Sequence, residues 1–190
     1  MKRFLFLSFG IFLGLMAYMS SFHRVVNLTW HQKFERAMAL TPMGEYHDDD
    51  YDYTIRYPAF FQRADDTLMD KGTCRFSFWR DDIEVVQTAF VEHNQEMLTP
   101  QQAVKKYAND LHATYQRVDE DSFTLSGSLH SDTGQITGRR FYAKFVQHRK
   151  FWFVQSLTYP EECEHALRRL LLEIDKWKVW KDNYTRRVGV

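Results

Sequence analysis

Apolar and polar residues alternate with a period of two along about six short segments, and with a period near 3.6 along two others. The first pattern puts apolar side chains on one face of a strand, and the second puts them on one stripe of a helix. The segments follow one another as three strands, a helix, three strands and a helix. We therefore expect an α+β domain: a twisted antiparallel sheet of about six strands, chiefly linked by hairpins, with two main helices packed on it.

The first three predicted strands fall between residues 51 and 91. The third, over residues 83–91, carries Val86 and Phe90 on its second face as well, which predicts a central position covered on both sides. The acidic run before these strands, residues 45–50, lacks the glycine and glutamate that an EF-hand loop requires. We interpret it as a solvated lead-in to the first strand.

The first predicted helix begins at a recognisable start signal. Thr99 can cap it, Pro100 suits the first helical position, and Gln102 completes a capping box. Its predicted apolar stripe consists of Ala103, Val104, Tyr107, Ala108 and Leu111.

An aromatic-rich unit of two strands and a helix spans residues 138–178. The turn is predicted at His148, Arg149 and Lys150. One face of the hairpin is then predicted to carry Phe141, Ala143, Phe145, Phe151, Phe153, Leu157 and Tyr159, and the far face Tyr142, Lys144 and Trp152. After Pro160, a buried helical stripe is predicted at Cys163, Leu167, Leu170, Leu171, Ile174 and Trp177.

The N-terminal segment is uncharged and apolar from Phe4 to Phe22 and follows Lys2 and Arg3. This pattern predicts a signal peptide or an N-terminal transmembrane anchor over residues 1–22. The positive-inside rule would then place the domain on the extracytoplasmic side, at the cell membrane or in the periplasm.

Three further regions follow this segment. Residues 23–45 are interpreted as a juxtamembrane helix or linker, which lies on the bilayer, continues the anchor or packs on the domain. The globular domain is predicted over residues 46–180, and residues 181–190 form a polar tail.

Composition excludes one class of function. The chain carries 25 Lys and Arg against 25 Asp and Glu, so it lacks the basic excess typical of nucleic-acid binders. Cys74 and Cys163 lack metal-ligand spacing. They could pair in an exported protein, but buried free thiols are the favoured interpretation.

No recognised catalytic motif occurs in the sequence. Ser126, Ser128, His130 and Asp132 step along one strand and its turn in a line, so they cannot converge as a catalytic triad. The histidines are interpreted as surface residues, since a metal site would require the fold to bring distant ones together. We therefore expect no enzyme activity, no cofactor and no metal.

Several short phrases resemble the PsbP-like α/β/α family, whose founding member is an extrinsic subunit of photosystem II and whose fold a Ran-binding protein shares. They are YTIRYP, the helix start TPQQAV, SFTLSG, GRRFYAKF and LTYPEE. The resemblance covers roughly residues 46–180. It implies an antiparallel sheet sandwiched by helices, in a family of mostly accessory or binding proteins that generally lack catalytic residues.

The sequence therefore predicts a membrane-tethered or exported, non-catalytic binding or accessory domain of the cell envelope. Its partners would be the membrane, through the N-terminal segment, and an unknown protein. The predicted interaction surface comprises Trp79, Tyr142, Lys144 and Trp152, with Trp180 as a further exposed aromatic. The alternative is an unrecognised hydrolase or small-ligand-binding protein with a pocket between sheet and helix.

Overall fold

Three α-helices and nine β-strands form the described part of the chain, residues 28–179 without 66, 68 and 132, in a computed structural model. The helices are α1 (Trp30–Leu40), α2 (Pro100–Asp110) and α3 (Arg168–Asp175), with a 3₁₀ turn at Glu161–Cys163. The strands are β1 (Met43–Asp48), β2 (Tyr53–Pro58), β3 (Gln62–Arg63), β4 (Cys74–Arg80), β5 (Ile83–His93), β6 (Tyr115–Val118), β7 (Ser122–His130), β8 (Ile136–His148) and β9 (Phe151–Pro160).

Seven strands form one antiparallel sheet in the order β3-β4-β5-β9-β8-β7-β6. The predicted α+β class with an antiparallel sheet is confirmed, and β5 lies in the interior of the sheet as expected. Two predictions for this region need correction. The predicted strand over residues 51–57 corresponds to β2, which pairs with β1 in a separate hairpin. Strand β1, which was not predicted, includes part of the acidic run that was interpreted as a solvated lead-in.

The prediction overlooked β1 because Asp48 is a strand residue that the hairpin buries. Its carboxylate is 6% exposed and accepts a hydrogen bond from the Tyr51 N–H at 2.9 Å and from the Tyr46 hydroxyl at 3.2 Å. The two hydrogen bonds give the Asp48 carboxylate partners inside the protein. An aspartate can therefore be buried here, although the local sequence pattern indicates an exposed position.

Helix α1 packs on the body of the domain. Thr29 caps it by accepting the Gln32 N–H at 3.3 Å, while the Thr29 N–H donates to Gln32 Oε1 at 3.0 Å. Phe34 and Met38 are 3% and 2% exposed, and the Phe34 ring stacks on Phe78 at 5.0 Å. Within this region, residues 30–40 thus form a helix that packs on the domain.

No helix of the described residues is long and apolar enough to cross a bilayer. The apolar segment 4–22, Trp180 and the tail 181–190 lie outside the described residues.

The two faces of the sheet carry separate cores. On one face, α1, α3 and the β1–β2 hairpin bury residues such as Ile55, Phe76 and Leu170. On the other face, α2 buries Ala103 and Val104 against Phe123 and its neighbours. The sheet is thus sandwiched between helices, as the resemblance implies.

The β8–β9 turn has two residues rather than three, and this corrects the predicted faces. His148 pairs with Phe151, and Arg149 adopts a φ of 54° in the turn. A change of one residue in register moves every side chain of a strand to the other face. Phe153, Leu157 and Tyr159 therefore share a face with Tyr142, whereas Trp152 and Val154 lie with Phe141, Ala143 and Phe145.

The two predicted helices form with small differences. The Thr99 N–H donates to Gln102 Oε1 at 3.0 Å at the start of α2, although Leu111 at its end is 39% exposed. The last helix begins at Arg168, after the 3₁₀ turn. Its predicted stripe is buried at Cys163, Leu167, Leu170, Ile174 and Trp177, while Leu171 is partly exposed.

Candidate interaction surface

One half of the sheet, on the α2 side, has no described helix over it. Helix α2 packs on β6 and β7, and both α1 and α3 contribute to the core of the opposite face. This half is formed by β4, residues 84–88 of β5 and residues 156–158 of β9, and we call it the open face. Its partly or fully exposed side chains are Arg75, Ser77, Trp79, Glu84, Thr88, Ser156 and Thr158.

Strand alternation explains why these residues share one face. The register pairs Arg75 with Thr88 and Thr88 with Ser156, so their side chains form a row across three strands. The hydroxyl side chains of Thr88, Ser156 and Thr158 are partly exposed in this part of the sheet. The row is polar, which is why a helix is not needed to cover it.

Trp79 is the largest exposed side chain of the open face. It is 74% exposed and pairs across the strands with Glu84. The Glu84 carboxylate accepts a hydrogen bond from Arg139 Nη1 at 2.8 Å, and Arg139 Nη2 donates to the Glu84 carbonyl at 3.1 Å. The Arg139–Glu84 ion pair is thus reinforced by the bond to the Glu84 carbonyl, and it lies next to the largely exposed Trp79 indole.

Tyr142 and Lys144 lie under α3 rather than on a free surface, which corrects their prediction as contact residues. The Tyr142 hydroxyl donates to Asp175 Oδ1 at 2.7 Å, and Lys144, which is 6% exposed, donates to the Asp175 carbonyl. Arg117 of β6 donates to the same carboxylate at 2.7 Å. We call Arg117, Tyr142, Lys144 and Asp175 the α3 anchor.

The pKa values of two groups in the α3 anchor, Asp175 and Lys144, are shifted by burial and by their neighbours. Burial raises the pKa of Asp175, but the hydrogen bonds from Arg117 and Tyr142 outweigh it and hold that pKa below its usual range. Burial lowers the pKa of the Lys144 ammonium, and the Asp175 charge opposes this. The groups are occupied with one another, so their arrangement serves to hold α3 on the sheet.

Trp152 is also not a surface residue, which corrects its prediction. It is 1% exposed, and its ring meets Phe123 edge-on at a centroid distance of 5.3 Å. The reason is the two-residue turn, because it places Trp152 on the face that α2 covers. Of the four predicted surface residues, Trp79 alone is largely exposed.

A polar cleft of about 280 Å³ opens between the end of β5 and α2, with Trp152 among its lining residues. Four of its polar side chains form two pairs. The Tyr107 hydroxyl donates to Glu92 at 2.9 Å, and Lys106 forms an ion pair with Glu96.

Sequence reasoning overlooked four side chains that shape these regions: Glu84 and Arg139 beside Trp79, and Arg117 and Asp175 in the α3 anchor. Arg139 is separated from Glu84 by 55 positions, and Arg117 from Asp175 by 58. For the three on strands, Glu84, Arg117 and Arg139, the local signal is a charged residue at an alternating position, and it does not identify a partner.

Comparison with known proteins concerns the fold. No protein-family model and no curated protein matches the chain. Among solved structures, it is similar to cyanobacterial PsbP (CyanoP) from Synechocystis sp. PCC 6803, with a TM-score of 0.53 and 14% identity over 74% of this chain and 94% of that one. It is also similar to PA94 from Pseudomonas aeruginosa, a protein of unknown function, with a TM-score of 0.48 and 11% identity over 74% of this chain and 99% of that one. The strand order, the helices on both sides and the similarity to CyanoP together establish a PsbP-like fold.

Proposed function

We propose that the protein is a membrane-tethered or exported, non-catalytic binding or accessory domain of the cell envelope, and that it binds a protein partner through the open face. The observation that carries this proposal is Trp79, whose indole is 74% exposed on an uncovered half of the sheet. The uncharged segment from Phe4 to Phe22 supports tethering or export, with the domain on the extracytoplasmic side.

A protein is the partner that this surface suits best. Tryptophan and arginine are enriched among the residues that dominate binding energy at protein interfaces, and Trp79 has both Arg75 and Arg139 on its face. Around them, Ser77, Thr88 and Thr158 provide hydroxyl groups that can pair with a partner without a long side chain having to be ordered.

A non-catalytic role is supported by how the polar groups are used. The carboxylate, phenol and ammonium groups of the α3 anchor bind one another and the end of a helix. Four groups of the cleft, Tyr107, Glu92, Lys106 and Glu96, are also paired with one another. Catalysis would instead require such groups to converge on a position where substrate can bind.

The partner can be tested by site-specific photocrosslinking in membranes of cells that express the full chain. A photoreactive phenylalanine analogue at position 79 is expected to trap a specific protein, and the same analogue at Leu172 is expected not to. Leu172 is a matched control because it is 47% exposed on α3, on the opposite side of the sheet. Equal trapping at both positions, or none at position 79, would contradict the proposal.

A substitution completes this test. Trp79→Ala is expected to abolish capture of the crosslinked partner from mildly solubilised membranes and to change stability by no more than about 0.5 kcal/mol, as is usual at exposed positions. Leu172→Ala should leave capture intact. Tethering is measured separately by alkaline extraction of the membranes: an anchored chain stays in the pellet, whereas a cleaved chain is released.

The cleft favours the alternative function, a small-ligand-binding protein or hydrolase. Its volume of about 280 Å³ is near the lower end for ligand sites, about 300–1,000 Å³. A metabolite screen by thermal shift tests it. A ligand whose stabilisation is lost in Lys106→Met but kept in Trp79→Ala would favour the cleft over the open face.

A further inference from the structure

Three separate segments bring one imidazole and two carboxylates together on the α1 side of the domain. His31 lies in the first turn of α1, Asp82 in the turn between β4 and β5, and Glu162 in the 3₁₀ turn after β9. His31 Nε2 is 3.8 Å from Asp82 Oδ2 and 3.9 Å from Glu162 Oε1. The three ligand atoms all lie within 4.8 Å of one another.

These distances suit a single metal ion. Zinc binds imidazole nitrogen and carboxylate oxygen at about 2.0–2.2 Å, so tetrahedral ligands are about 3.4 Å apart. The observed separations require inward shifts of about 0.5 Å for the pairs that include His31. The three side chains are 42%, 67% and 56% exposed, so small rotations can close the remaining gap.

The local charges also favour a cation. Of the residues that the structure describes, none other than His31 forms an ion pair with Asp82 or Glu162. The nearby basic groups face an indole instead: the Arg80 guanidinium lies 3.9 Å and Lys33 Nζ lies 4.5 Å from the Trp30 ring centroid. Two carboxylates that converge on one point repel each other unless a positive charge lies between them.

We propose that His31, Asp82 and Glu162 bind a divalent transition-metal ion of the zinc class. The imidazole ligand favours zinc over magnesium and calcium, which prefer oxygen ligands throughout. Water molecules complete the coordination. Because His31 belongs to α1 and the other two ligands belong to the body, the ion fastens the start of α1 to the domain.

The chain offers two matched controls. His165 contacts Glu35 at 3.1 Å and thus also joins α1 to the body, but with one carboxylate. His47 lies 3.5 Å from Asp49 and 3.7 Å from Asp52, yet within the β1–β2 hairpin and remote from α1 in the sequence. If zinc affinity falls only when a proposed ligand is replaced, the loss cannot be a general effect of removing a histidine.

The test is zinc titration of the metal-free full chain in detergent, with a chromophoric chelator as competitor. We expect one ion per chain, with saturable binding below millimolar zinc. His31→Ala and Glu162→Gln should each weaken binding at least tenfold, while His165→Ala and His47→Ala should leave it unchanged. Zinc should raise the Tm of the wild type but not of His31→Ala.

Three results would overturn the proposal: no saturable binding below millimolar zinc, unchanged affinity in His31→Ala and Glu162→Gln, or loss of binding in His47→Ala instead. Circular dichroism of each variant checks that it is folded. Glu162→Gln and Asp82→Asn preserve side-chain shape, so they give an answer even if His31→Ala fails to fold.

Discussion

At the scale of single residues, Asp175 connects the last helix to the sheet. Its carboxylate accepts from Tyr142 and Arg117, and its carbonyl accepts from Lys144. A cationic side chain at the C-terminus of a helix also interacts favourably with the helix dipole. The sequence predicted that Tyr142 and Lys144 share a face, which is confirmed. It did not predict that both bind Asp175.

Asp175→Asn should destabilise the protein at pH 7 and have little effect in acid. The pKa of Asp175 is below its usual range in the folded state, so the carboxylate contributes stability above about pH 4 and loses it as pH falls through the folded-state pKa. We expect a loss of about 1–2 kcal/mol at pH 7, since solvent partly screens hydrogen bonds to the Asp175 side chain, which is 28% exposed. Urea unfolding at pH 7 and pH 3 measures the difference.

Asp119→Asn is the control for this prediction. Asp119 also contacts Arg117, at 3.4 Å, but is more exposed than Asp175, so its loss should cost less. An equal effect of Asp175→Asn at both pH values would show that the charge of Asp175 does not hold α3.

At the scale of elements, the β8–β9 turn decides which side chains are buried. The local pattern identified both strands, yet it could not distinguish a two-residue turn from a three-residue turn. Arg149, at a φ of 54°, offers none of the usual glycine or asparagine signals. The length of the turn is consequently set by the packing of the two strands. In the observed register, their large side chains fill the cores on both faces of the sheet.

Arg149→Gly should leave stability unchanged or raise it by up to about 1 kcal/mol. Glycine adopts a positive φ without the steric cost that a side chain incurs, and this offsets the entropy it adds to the unfolded chain. Lys150→Gly is the control, because the φ of Lys150 is not positive, and it should cost about 0.5–1 kcal/mol. Thermal unfolding of both variants measures this, and an equal loss in the two would refute strain at Arg149.

At the scale of the whole molecule, α1 is part of the folded domain. Phe34 and Met38 belong to the same core cluster as Ile174 of α3 and Phe76 of the sheet. Helix α1 is therefore joined to the sheet and to α3 through buried side chains. Two exposed contacts also join α1 and its C-terminal end to the region of α3: His165 with Glu35, and Arg169 with the Thr41 carbonyl.

Phe34→Ala should destabilise the entire domain by about 3–5 kcal/mol, the usual cost of truncating a buried phenylalanine. Fluorescence and circular dichroism should report one shared transition, since α1 and the sheet unfold together. Glu35→Ala, next to it on the exposed side of α1, should cost less than about 0.5 kcal/mol. An early separate transition in Phe34→Ala would mean that α1 is an independent segment.

The sequence by itself determined the elements whose signals are local. The capping residues of α2, the stripe of α3 and the alternation of six strands each follow from neighbours within a few positions, because backbone geometry repeats every two or 3.6 residues. The PsbP-like fold was implied by the resemblance of short phrases such as YTIRYP and GRRFYAKF, and it is confirmed.

Only the tertiary structure decided which faces meet and which polar groups converge. The contacts that it decided join residues that are far apart along the chain. They are the packing of Trp152 on Phe123, the α3 anchor, and the group of His31, Asp82 and Glu162. Such contacts depend on turn length and on how helices dock over the sheet, and one residue of register reverses a face. Local periodicity carries no information about that choice, because both registers satisfy it equally well.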